Sequence, residues 1–500
     1  MRYALKKLAV RLWAGSRLGW ACVALAILFQ PFVSRTAIAG EWEISPVLTV
    51  EESFTDNATS ASSGKSADLI STAEAAIGIN GRGARANLSF NYGLSYDKYL
   101  DHSELDGYRQ NLLGQGKVEL LEDLFFVDAR ASISQQNISR SGAITAGERT
   151  VSGNQTEVMN YSISPSLQYG FDGWNNSSLT YRFNETRFLK SDVGAAVSRP
   201  EASRTHELIA RTGSGRRFTR FLWSLTGNTA FTYSGKELRS KRNTMTATGE
   251  YVFNSYISAL GSIGHEKFSD NAIDEEANSG FFWSGGVRLK PGPRSALHLE
   301  YGKRYDSNNI TGDFSYAISP RTHLNAAYSV DIQTQQQFLN DNLNNLITDK
   351  DGNLIDPVTG LPVDPNFQDG DLVDTTFKTE RFTLGLSGTR GRNSFSMSLN
   401  HISREFGTGA TSDKTLSVGG NFSRRLTPHA NLSLAANYST ALESRTGGSK
   451  DDTLSGNASF GYEFSTSLHG DITYRHLSRD SDGGDDLSEN QISFRLRKEF

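Results

Sequence analysis

The side chains that could catalyse a reaction or bind a metal ion are scattered along this chain of 500 residues. Its nine histidines include no His-Glu-x-x-His zinc motif, and no close pair of them shares a strand with a carboxylate at ligand spacing. His298 and Glu300 fall on the same inward face of one predicted strand, and we interpret them as a solvated pair rather than a metal site. We therefore predict no metal ion and no cofactor.

Two short motifs contain residue types that could catalyse a reaction or bind a metal ion. Asn400-His401-Ile402-Ser403 has the types found in lipases of the outer membrane, but no other element of such a site is visible, so we predict that the chain is not an enzyme. Asp349-Lys350-Asp351-Gly352-Asn353 suggests a calcium loop. With Gly352 at the sharp-turn position, Ile347 and Val358 would occupy the first and last ligand positions, which excludes an EF-hand. An Asp-Gly turn fits better, with loose surface binding of calcium as the alternative.

The elements that carry these residues follow one repeated pattern, about a dozen residues of alternating apolar and polar side chains. Between 84 and 96, for example, the even positions from Ala86 to Tyr96 are apolar or aromatic and the odd positions are polar or small. A period of two is typical of a strand with one apolar face. We predict about 22 such strands. They are 42–54, 69–80, 84–96, 108–120, 124–136, 158–171, 176–188, 205–213, 218–233, 242–253, 256–268, 280–290, 295–305, 310–318, 322–332, 376–388, 394–405, 413–426, 430–440, 452–464, 467–477 and 488–500.

The connections between these strands alternate in length. Those after even-numbered strands are short, such as 254–255 and 291–294, whereas most of those after odd-numbered strands are long and polar, such as 137–158, 190–205 and 333–375. Short turns at one rim and long loops at the other favour a transmembrane antiparallel up-and-down β-barrel, with both termini at the periplasmic rim. A stack of soluble β-sandwiches, the alternative, predicts no such rule and would show breaks in composition between domains.

Charged residues on the apolar faces lie near the predicted strand ends. Lys303, Lys378 and Glu380 are near the predicted extracellular rim, and Arg424 and Lys498 are near the periplasmic one. Lipid favours this placement, because an Arg or Lys facing lipid costs about 2–4 kcal/mol at the bilayer midplane and little near its interfaces. Aromatic residues at strand ends predict the interfacial girdles.

The start of the chain differs from the rest. Residues 1–17 carry five Lys and Arg side chains, residues 18–33 are almost entirely apolar, and Ala37-Ile38-Ala39 matches a signal-peptidase site. We predict a cleaved signal peptide at 1–39, export through the Sec pathway and a barrel at 40–500. Cys22, the only cysteine, lies within the predicted signal peptide, so no disulfide is expected in the mature chain.

The net charge of -4 and the lack of a basic stripe argue against nucleic acid as a partner.

The inward face of the strands is polar and carries both signs of charge. We predict that this face lines a wet passage that suits neutral polar solutes, sugars included. Any wide barrel also needs a polar interior so that its inward polar groups are hydrogen-bonded. The pattern alone therefore does not exclude a lumen that is blocked. The predicted lumen-lining residues are Arg85, Asp97, Asp128, Arg130, Arg182, Arg220, Arg288, His298, Glu300, Arg304, Arg381, Asp471 and Arg475.

The final strand places Ile492, Phe494, Leu496 and Phe500 on one face. It resembles the terminal strand that the barrel assembly machinery of the outer membrane recognises. We therefore predict that these four residues act as the assembly signal.

Several strand and turn motifs resemble a known family. They are Phe54-Thr55-Asp56-Asn57, Tyr161-Ser162-Ile163-Ser164-Pro165, Trp283-Ser284-Gly285-Gly286, Lys290-Pro291-Gly292-Pro293-Arg294-Ser295, Tyr301-Gly302-Lys303-Arg304 and Tyr316-Ala317-Ile318-Ser319-Pro320-Arg321-Thr322. Together they resemble the outer-membrane barrel proteins associated with the PEP-CTERM and exopolysaccharide-export systems of Gram-negative bacteria. The resemblance implies a role near the synthesis or secretion of a polysaccharide.

We accordingly expect a porin-like or export barrel in the bacterial outer membrane. Its partners would be membrane lipid, the barrel assembly machinery and either an exopolysaccharide or components of an exopolysaccharide-export system. The alternative is a structural or adhesive barrel with a blocked lumen that presents its long loops to partners outside. The connection 333–375 is too long to be a mere connector, so it either folds into the mouth of the barrel or contacts a partner.

Overall fold

The computed structural model describes residues 40–139, 142–147, 149–189, 200–270, 278–305, 307–339, 347–348, 354–355, 371–373, 375–407, 411–444, 450–482 and 486–500. The predicted signal peptide, 1–39, and the Asp-rich motif at 349–353 lie outside these residues. Within the described ranges, no helix is both long and apolar enough to cross a membrane. The larger unit of the chain comprises Trp42–Gly81 and Arg85–Phe500, while Gly40, Glu41 and Arg82–Ala84 belong to a second, small unit.

The described chain is built mainly from β-strands, and most of them pair antiparallel with the next strand along the chain. The strands are β1 (Gly40–Thr55), β2 (Asp68–Gly83), β3 (Ala86–Tyr99), β4 (Gly107–Leu121), β5 (Phe125–Asn137), β6 (Gln155–Phe171), β7 (Asn175–Phe188), β8 (Ser203–Ser214), β9 (Phe221–Ser234), β10 (Glu237–Val252), β11 (Ile257–Asp270), β12 (Gly280–Gly292), β13 (Ser295–Arg304), β14 (Ser307–Ser319), β15 (Thr322–Thr334), β16 (Ile347–Thr348), β17 (Leu354–Ile355), β18 (Thr376–Arg390), β19 (Asn393–Phe406), β20 (Thr411–Arg425), β21 (Ala430–Glu443), β22 (Asp451–Ser465), β23 (Leu468–Ser481) and β24 (Leu487–Glu499). Among the residues that the structure describes, helical structure is limited to the 3-10 turn Ser103–Leu105 and the helical turn 335–339.

The sheet is closed and has 22 strands. β1 pairs with β24 in a register that runs from Val47 opposite Glu499 to Thr55 opposite Gln491, so the first strand completes the ladder of the last. β15 pairs directly with β18, while the two-residue strands β16 and β17 pair only with each other. The predicted all-β antiparallel up-and-down barrel is therefore confirmed, together with its strand number.

Alternation of side chains gives this barrel an apolar outside and a polar inside. On β1, Leu48 and Val50 are more than half exposed on the outward face, whereas the inward Glu51 and Ser53 are buried. The same alternation continues around the ladder, for example with Ile492 and Phe494 outward and Gln491 and Ser493 inward on β24. An outer wall of this composition suits hydrocarbon better than water.

The two rims differ as predicted. At one rim the connections are short, for example 122–124, 172–174 and 391–392. At the other rim they include the long segments 138–154 and 335–375, although β9 to β10 and β13 to β14 are joined closely there. We call these the short-turn rim and the long-loop rim. Both Trp42 and Phe500 lie at the short-turn rim, because the number of strands between them is even.

Outward-facing charges lie near the rims. Lys378 is close to the start of β18 at the long-loop rim, with its Nζ 3.2 Å from Glu380 and 3.5 Å from Glu405. At the short-turn rim, Lys498 of β24 donates to the hydroxyl of Ser467 at 2.6 Å. Charged groups at these heights remain in contact with water in a membrane-spanning barrel.

Candidate functional site in the barrel lumen

Most of the predicted lumen-lining residues lie on the inward face of their strands, where they alternate with exposed apolar side chains. These residues are Asp97, Asp128, Arg130, Arg182, Arg288, His298, Glu300, Arg304, Arg381, Asp471 and Arg475.

Arg85 and Arg220 do not lie in strands, so their predicted positions are wrong. β3 begins at Ala86 and β9 begins at Phe221, which places both arginines in connections at the short-turn rim. Both residues are exposed, and Arg85 Nη2 is 2.7 Å from the Glu122 carboxylate in the next connection. The error arises because alternation extends past the point where the hydrogen-bonded ladder stops, and side-chain pattern does not reveal that point.

Opposite charges on the inner wall lie next to each other and pair. Such partly exposed ion pairs contribute about 0–1 kcal/mol each to stability, so they neutralise the wall more than they strengthen it. The pairs are Arg130 with Asp128 at 3.2 Å, Arg182 with Glu207 at 3.2 Å, and Arg288 with Glu250.

His298 lies between two carboxylates of the inner wall. Its Nε2 is 2.7 Å from Glu300 and its Nδ1 is 3.1 Å from Asp313 on the neighbouring strand β14. Sequence reasoning found the first partner and missed the second, which the register of β13 and β14 places directly opposite His298. In the part of the chain that the structure describes, no group of three or more His, Cys, Asp or Glu side chains is arranged to hold a metal ion.

The wall between β23 and β24 carries Asp471 and Arg475. The guanidinium of Arg475 donates to Ser493 at 3.2 Å and to Gln491 at 3.4 Å, and Asp471 accepts from Thr473 at 3.3 Å. These groups are bound to hydroxyls and amides of the wall. The lumen surface here is polar without being strongly charged.

The described residues of the connection after β5, which are 138–139, 142–147 and 149–154, fold into the barrel, and we call them the inward loop. Its Arg149 carbonyl accepts hydrogen bonds from the Tyr99 hydroxyl and from Arg109 Nη2, both at 2.5 Å. At another point of the loop, the carbonyl of Gly142 accepts from Arg479 on β23. The loop therefore crosses the inner wall from β3 and β4 to β23.

The Arg149 side chain lies buried among acids from three consecutive strands. Its guanidinium is 3.2 Å from Glu74 on β2, 3.6 Å from Glu51 on β1 and 3.8 Å from Asp97 on β3. Removal of one partner from a buried ion pair typically costs about 3–5 kcal/mol, because the other charge is left uncompensated. Arg149 therefore fixes the inward loop to the wall.

Glu489 of β24 holds the same loop from its other side. Its carboxylate accepts from the backbone N–H of Ala146 at 2.7 Å and from the Thr150 hydroxyl at 2.6 Å. A third hydrogen bond, at 2.8 Å, comes from Thr55 on β1. Glu489 is fully buried, so these bonds replace the water that it would otherwise bind.

A second inward segment consists of 335–339 and 371–373 from the connection between β15 and β18. Phe338 and Val373 pack with Phe377 and Phe406 in a small apolar cluster. Arg404 of β19 donates to Gln335 Oε1 at 3.1 Å and to the carbonyl of Asp371 at 3.0 Å. The expectation that this connection either folds into the mouth or contacts a partner is answered, for these residues, by the first alternative.

The two inward segments touch each other. Leu372 N–H donates to the carbonyl of Ile138 at 2.8 Å, and Ser139 Oγ donates to Asp371 at 3.1 Å. The second segment also reaches β9, where Gln337 Nε2 donates to Thr232 Oγ1 at 2.9 Å. The long-loop half of the lumen is thus crossed by a continuous set of polar contacts.

A cluster of charges joins strands that are not neighbours in the ladder. Arg242 of β10 lies 3.0 Å from Asp331 of β15, although β11 to β14 separate these strands in the sheet. Arg304 is 2.7 Å from Glu266, and the Tyr305 hydroxyl donates to Asp331 at 3.0 Å. Burial, and then the nearby Asp331 carboxylate, raise the pKa of Tyr305, which lies in the connection after β13. We call these five residues the rim cluster.

Sequence reasoning missed Arg149, Glu489 and Arg242. Glu489 and Arg242 lie at inward positions of predicted strands, so parity alone would have identified them. Arg149 lies in a connection without periodicity, and no pattern in the sequence indicates that it folds inward.

The Asn-His-x-Ser motif lies on β19. His401 and Ser403 are on the outward face, opposite Phe382 and Glu380 of β18, and Asn400 and Ile402 face inward. The motif is thus divided between the two sides of the wall.

Some solved structures are similar to this chain, whereas family models and curated sequences are not. No family model matches the chain, and no curated protein matches its sequence. Among solved structures, the siderophore receptor PirA from Acinetobacter baumannii matches with 9% identity over 92% of this chain and 80% of its own, with a TM-score of 0.49. The FrpB iron transporter from Neisseria meningitidis, F3-3 variant, matches with 10% identity over 91% and 82%, with a TM-score of 0.48.

A third similar structure is OprD from Pseudomonas aeruginosa, with 9% identity over 92% of this chain and 95% of its own and a TM-score of 0.33. At these identities and TM-scores the similarity does not indicate which solute, if any, passes through this barrel.

Proposed function

We propose that this chain is a barrel of the bacterial outer membrane that conducts polar solutes through a lumen narrowed by its inward segments. The proposal rests on the division between an apolar outside and a polar inside in a closed sheet. In hydrocarbon every backbone polar group must be paired within the protein, and a closed barrel is one of the few structures that achieves this. The first and the last strand both have their outer ends at the short-turn rim, and in this proposal that rim faces the periplasm.

The observation that carries conduction is the inner wall itself. Arginines and acids alternate there with hydroxyl and amide side chains, and the charges are paired locally, as Arg182 with Glu207 illustrates. Such a wall offers hydrogen bonds without a strong field of one sign, which suits neutral polar solutes such as sugars. The resemblance of the strand and turn motifs to barrels of exopolysaccharide-export systems makes a glycan the substrate class that we propose.

The second candidate is a structural or adhesive barrel whose lumen is blocked. It is favoured by the buried contacts of Arg149 and Glu489, which fix the inward loop firmly against the wall. In this case the remaining long connections would present binding surfaces outside the cell, and no solute would pass.

Conductance in planar lipid bilayers separates the two candidates. Conduction predicts a steady current, which increases when 139–153 is replaced by a short Gly-Ser linker. Removal of 445–449, from the connection between β21 and β22, is the matched control and should leave the current unchanged. A folded parent protein and a folded linker variant that both lack current would contradict conduction and support the scaffold.

The glycan is tested separately. Liposomes that contain the protein should swell in solutions of neutral oligosaccharides, with a size limit that increases in the linker variant. Swelling with salts and small amino acids but not with any oligosaccharide would exclude a glycan while leaving conduction intact. We propose no catalytic step, and substitution of His401 and Ser403 by Ala should leave every one of these readouts unchanged.

A further inference from the structure

Basic side chains dominate one side of the short-turn rim. Six consecutive connections at this rim, together with the strand residues that flank them, cover 214–221, 252–257, 289–295, 319–322, 389–393 and 423–429. These segments contain ten Arg and Lys residues and no Asp or Glu, in a chain with a formal net charge of -4. All ten side chains are exposed. We call them the basic arc: Arg216, Arg217, Arg220, Lys290, Arg294, Arg321, Arg390, Arg392, Arg424 and Arg425.

Acidic residues lie at both ends of the basic arc. Arg217 Nη2 is 2.5 Å from the Asp172 carboxylate in the connection between β6 and β7, and His429 Nδ1 is 3.7 Å from Glu463 on β22. The basic arc therefore covers only part of the rim, whereas membrane lipid would surround the whole barrel. The sequence shows no basic stripe because these residues come from separate segments, which become neighbours only in the ladder.

Backbone hydrogen bonds join each of the six segments to the next hairpin. In four of the five bonds, the acceptor is the carbonyl of an arginine of the basic arc. Pro291, Pro293 and Pro320 stiffen two of the connections, because proline fixes φ. A ligand therefore need not order this backbone when it binds. The bonds run from the N–H of Val252 to Arg220, of Lys290 to Tyr256, of Ala317 to Arg294, of Thr389 to Arg321 and of Arg425 to Arg392, at 2.7–2.9 Å.

The basic arc is long and rich in arginine. Strands lie about 4.8 Å apart, so successive connections at one rim are roughly 10 Å apart and the six connections span roughly 50 Å. A compact anion would contact one or two connections, whereas an extended polymer with negative charges along its length would contact all of them. Nine of the ten residues are Arg, whose planar guanidinium can bind a carboxylate through two parallel hydrogen bonds. The basic arc therefore suits a linear chain that carries carboxylates.

We propose that the basic arc binds a linear acidic polysaccharide, with its carboxylates on the arginines, at the entrance of the lumen. The inference rests on the proposed function, which places the short-turn rim in the periplasm and makes a glycan the transported solute. Beyond this entrance the charges of the inner wall are paired, as Arg288 with Glu250 shows, so the wall adds no strong attraction for the polymer. Attraction at the entrance followed by weaker contacts inside is what passage through a pore requires.

Two arginines of neighbouring connections test the polysaccharide site. Arg294→Gln combined with Arg321→Gln removes two charges and retains the backbone carbonyls that accept hydrogen bonds. The probe is polygalacturonate, a linear chain of sugars that each carry a carboxylate, and calorimetry measures its binding to the detergent-purified protein. An exposed ion pair contributes at most about fivefold in affinity, so the double variant should lose roughly tenfold. Unchanged affinity would overturn the assignment.

The matched control removes two charges from other parts of the same rim. Arg85→Gln combined with Arg497→Gln changes the net charge by the same amount, and both residues lie outside the basic arc. Salt screens charges that are more than about 8–10 Å apart, so the control should lose less than about twofold. An equal loss in both double variants would indicate a general attraction to the whole rim and would overturn the site. The unboiled electrophoretic mobility of each variant reports whether its barrel is folded.

Other probes distinguish a polysaccharide from other anionic partners. Polyglutamate and single-stranded DNA with the same number of charges should bind more weakly than polygalacturonate, and neutral dextran should not bind. Tighter binding of polyglutamate would indicate an acidic protein segment, and tighter binding of DNA would indicate a polynucleotide. Native mass spectrometry that shows phosphatidylglycerol retained by the parent and lost from the Arg294 and Arg321 double variant would indicate lipid headgroups. Each of these three results would overturn the proposal.

Current in planar bilayers separates this inference from the proposed function. Polygalacturonate fragments added at the short-turn side should reduce the current of the parent protein, and the Arg294 and Arg321 double variant should require a roughly tenfold higher concentration. A conducting parent that neither binds the fragments nor is blocked by them contradicts the basic arc alone. A folded parent that binds the polymer but carries no current contradicts the proposed conduction and supports the binding site.

Discussion

Leu372 donates its backbone N–H to the carbonyl of Ile138 at 2.8 Å, and this bond joins two connections that begin on distant strands of the barrel. One connection follows β5 and the other precedes β18, with ten strands between them in one direction around the ladder. Their contact lies inside the sheet. The lumen of this protein is therefore shaped by its loops as much as by its strands.

The first prediction concerns Arg149. We expect Arg149→Gln to lower the free energy of unfolding by about 3 kcal/mol, because Glu51, Glu74 and Asp97 lose a buried positive charge. The inward loop should then detach from the wall, and current noise in planar bilayers should increase. Arg130→Gln, which breaks a partly exposed pair with Asp128, is the control and should change both quantities much less. An Arg149→Gln barrel with unchanged current noise and an unchanged free energy of unfolding would contradict the role assigned to this residue.

The rim cluster predicts a coupling between residues of β10 and β15. Arg242→Gln and Asp331→Asn should each destabilise the barrel, and the double variant should be less destabilised than the sum, with a coupling of about 0.5–3 kcal/mol. The measurement is urea unfolding in lipid vesicles, monitored by tryptophan fluorescence. Additive effects would mean that the two strands do not meet in the membrane-embedded protein.

The connection between β3 and β4 predicts a pH dependence. The Asp106 carboxylate accepts from the Tyr99 backbone N–H at 2.8 Å, and this bond, together with Lys98, lowers the pKa of Asp106. A carboxyl with a lowered folded-state pKa stabilises the fold above its unfolded pKa of about 3.9 and loses that contribution as the pH falls further. Hydrogen exchange at Tyr99 should accelerate, beyond its intrinsic rate, as the pH falls below this value. Asp106→Asn should remove the pH dependence.

The outer wall predicts an asymmetric response to charge. Val418 is near the middle of β20 on the outward face and is 46% exposed, so Val418→Arg should cost about 2–4 kcal/mol in a bilayer. Asn457 lies near the middle of β22 on the inward face, and Asn457→Arg should cost less than 1 kcal/mol, because a wide lumen hydrates the side chain. Equal costs would contradict lipid outside and water inside.

The last strand predicts an effect on assembly without an effect on packing. The Phe500 side chain is exposed, so Phe500→Ser removes little buried area, yet we expect much less folded barrel in outer-membrane fractions, measured by unboiled electrophoretic mobility. Tyr462→Ser, an equally outward aromatic on β22, serves as the control. Ile492, Phe494 and Leu496 face the same way as Phe500 and should show smaller effects when substituted singly.

The strands of this fold were predictable from sequence because each one carries its own signal. Leu48, Val50 and Phe54 alternate with Thr49, Glu51 and Ser53, and that pattern needs no information from the rest of the chain. The connection lengths then predicted which strand ends lie at which rim. A connection as short as 391–392 can only join a strand to its immediate neighbour at the same rim.

The inward segments were not predictable in the same way. The residues around Arg149 have no period, and their direction is set by acids on β1, β2 and β3, which become neighbours only when the sheet closes. The pairing of Arg242 with Asp331 has the same origin, because parity shows that both face inward but not that they meet.

The pairing of β1 with β24 joins residues at the two extremes of the larger unit, such as Val50 and Leu496. Until the final strand has been synthesised, the edge of β1 has no natural neighbour, and its backbone groups are open to any other extended chain. An unfinished chain therefore exposes a strand edge that can pair with another chain and cause aggregation, and only the arrival of β24 removes it.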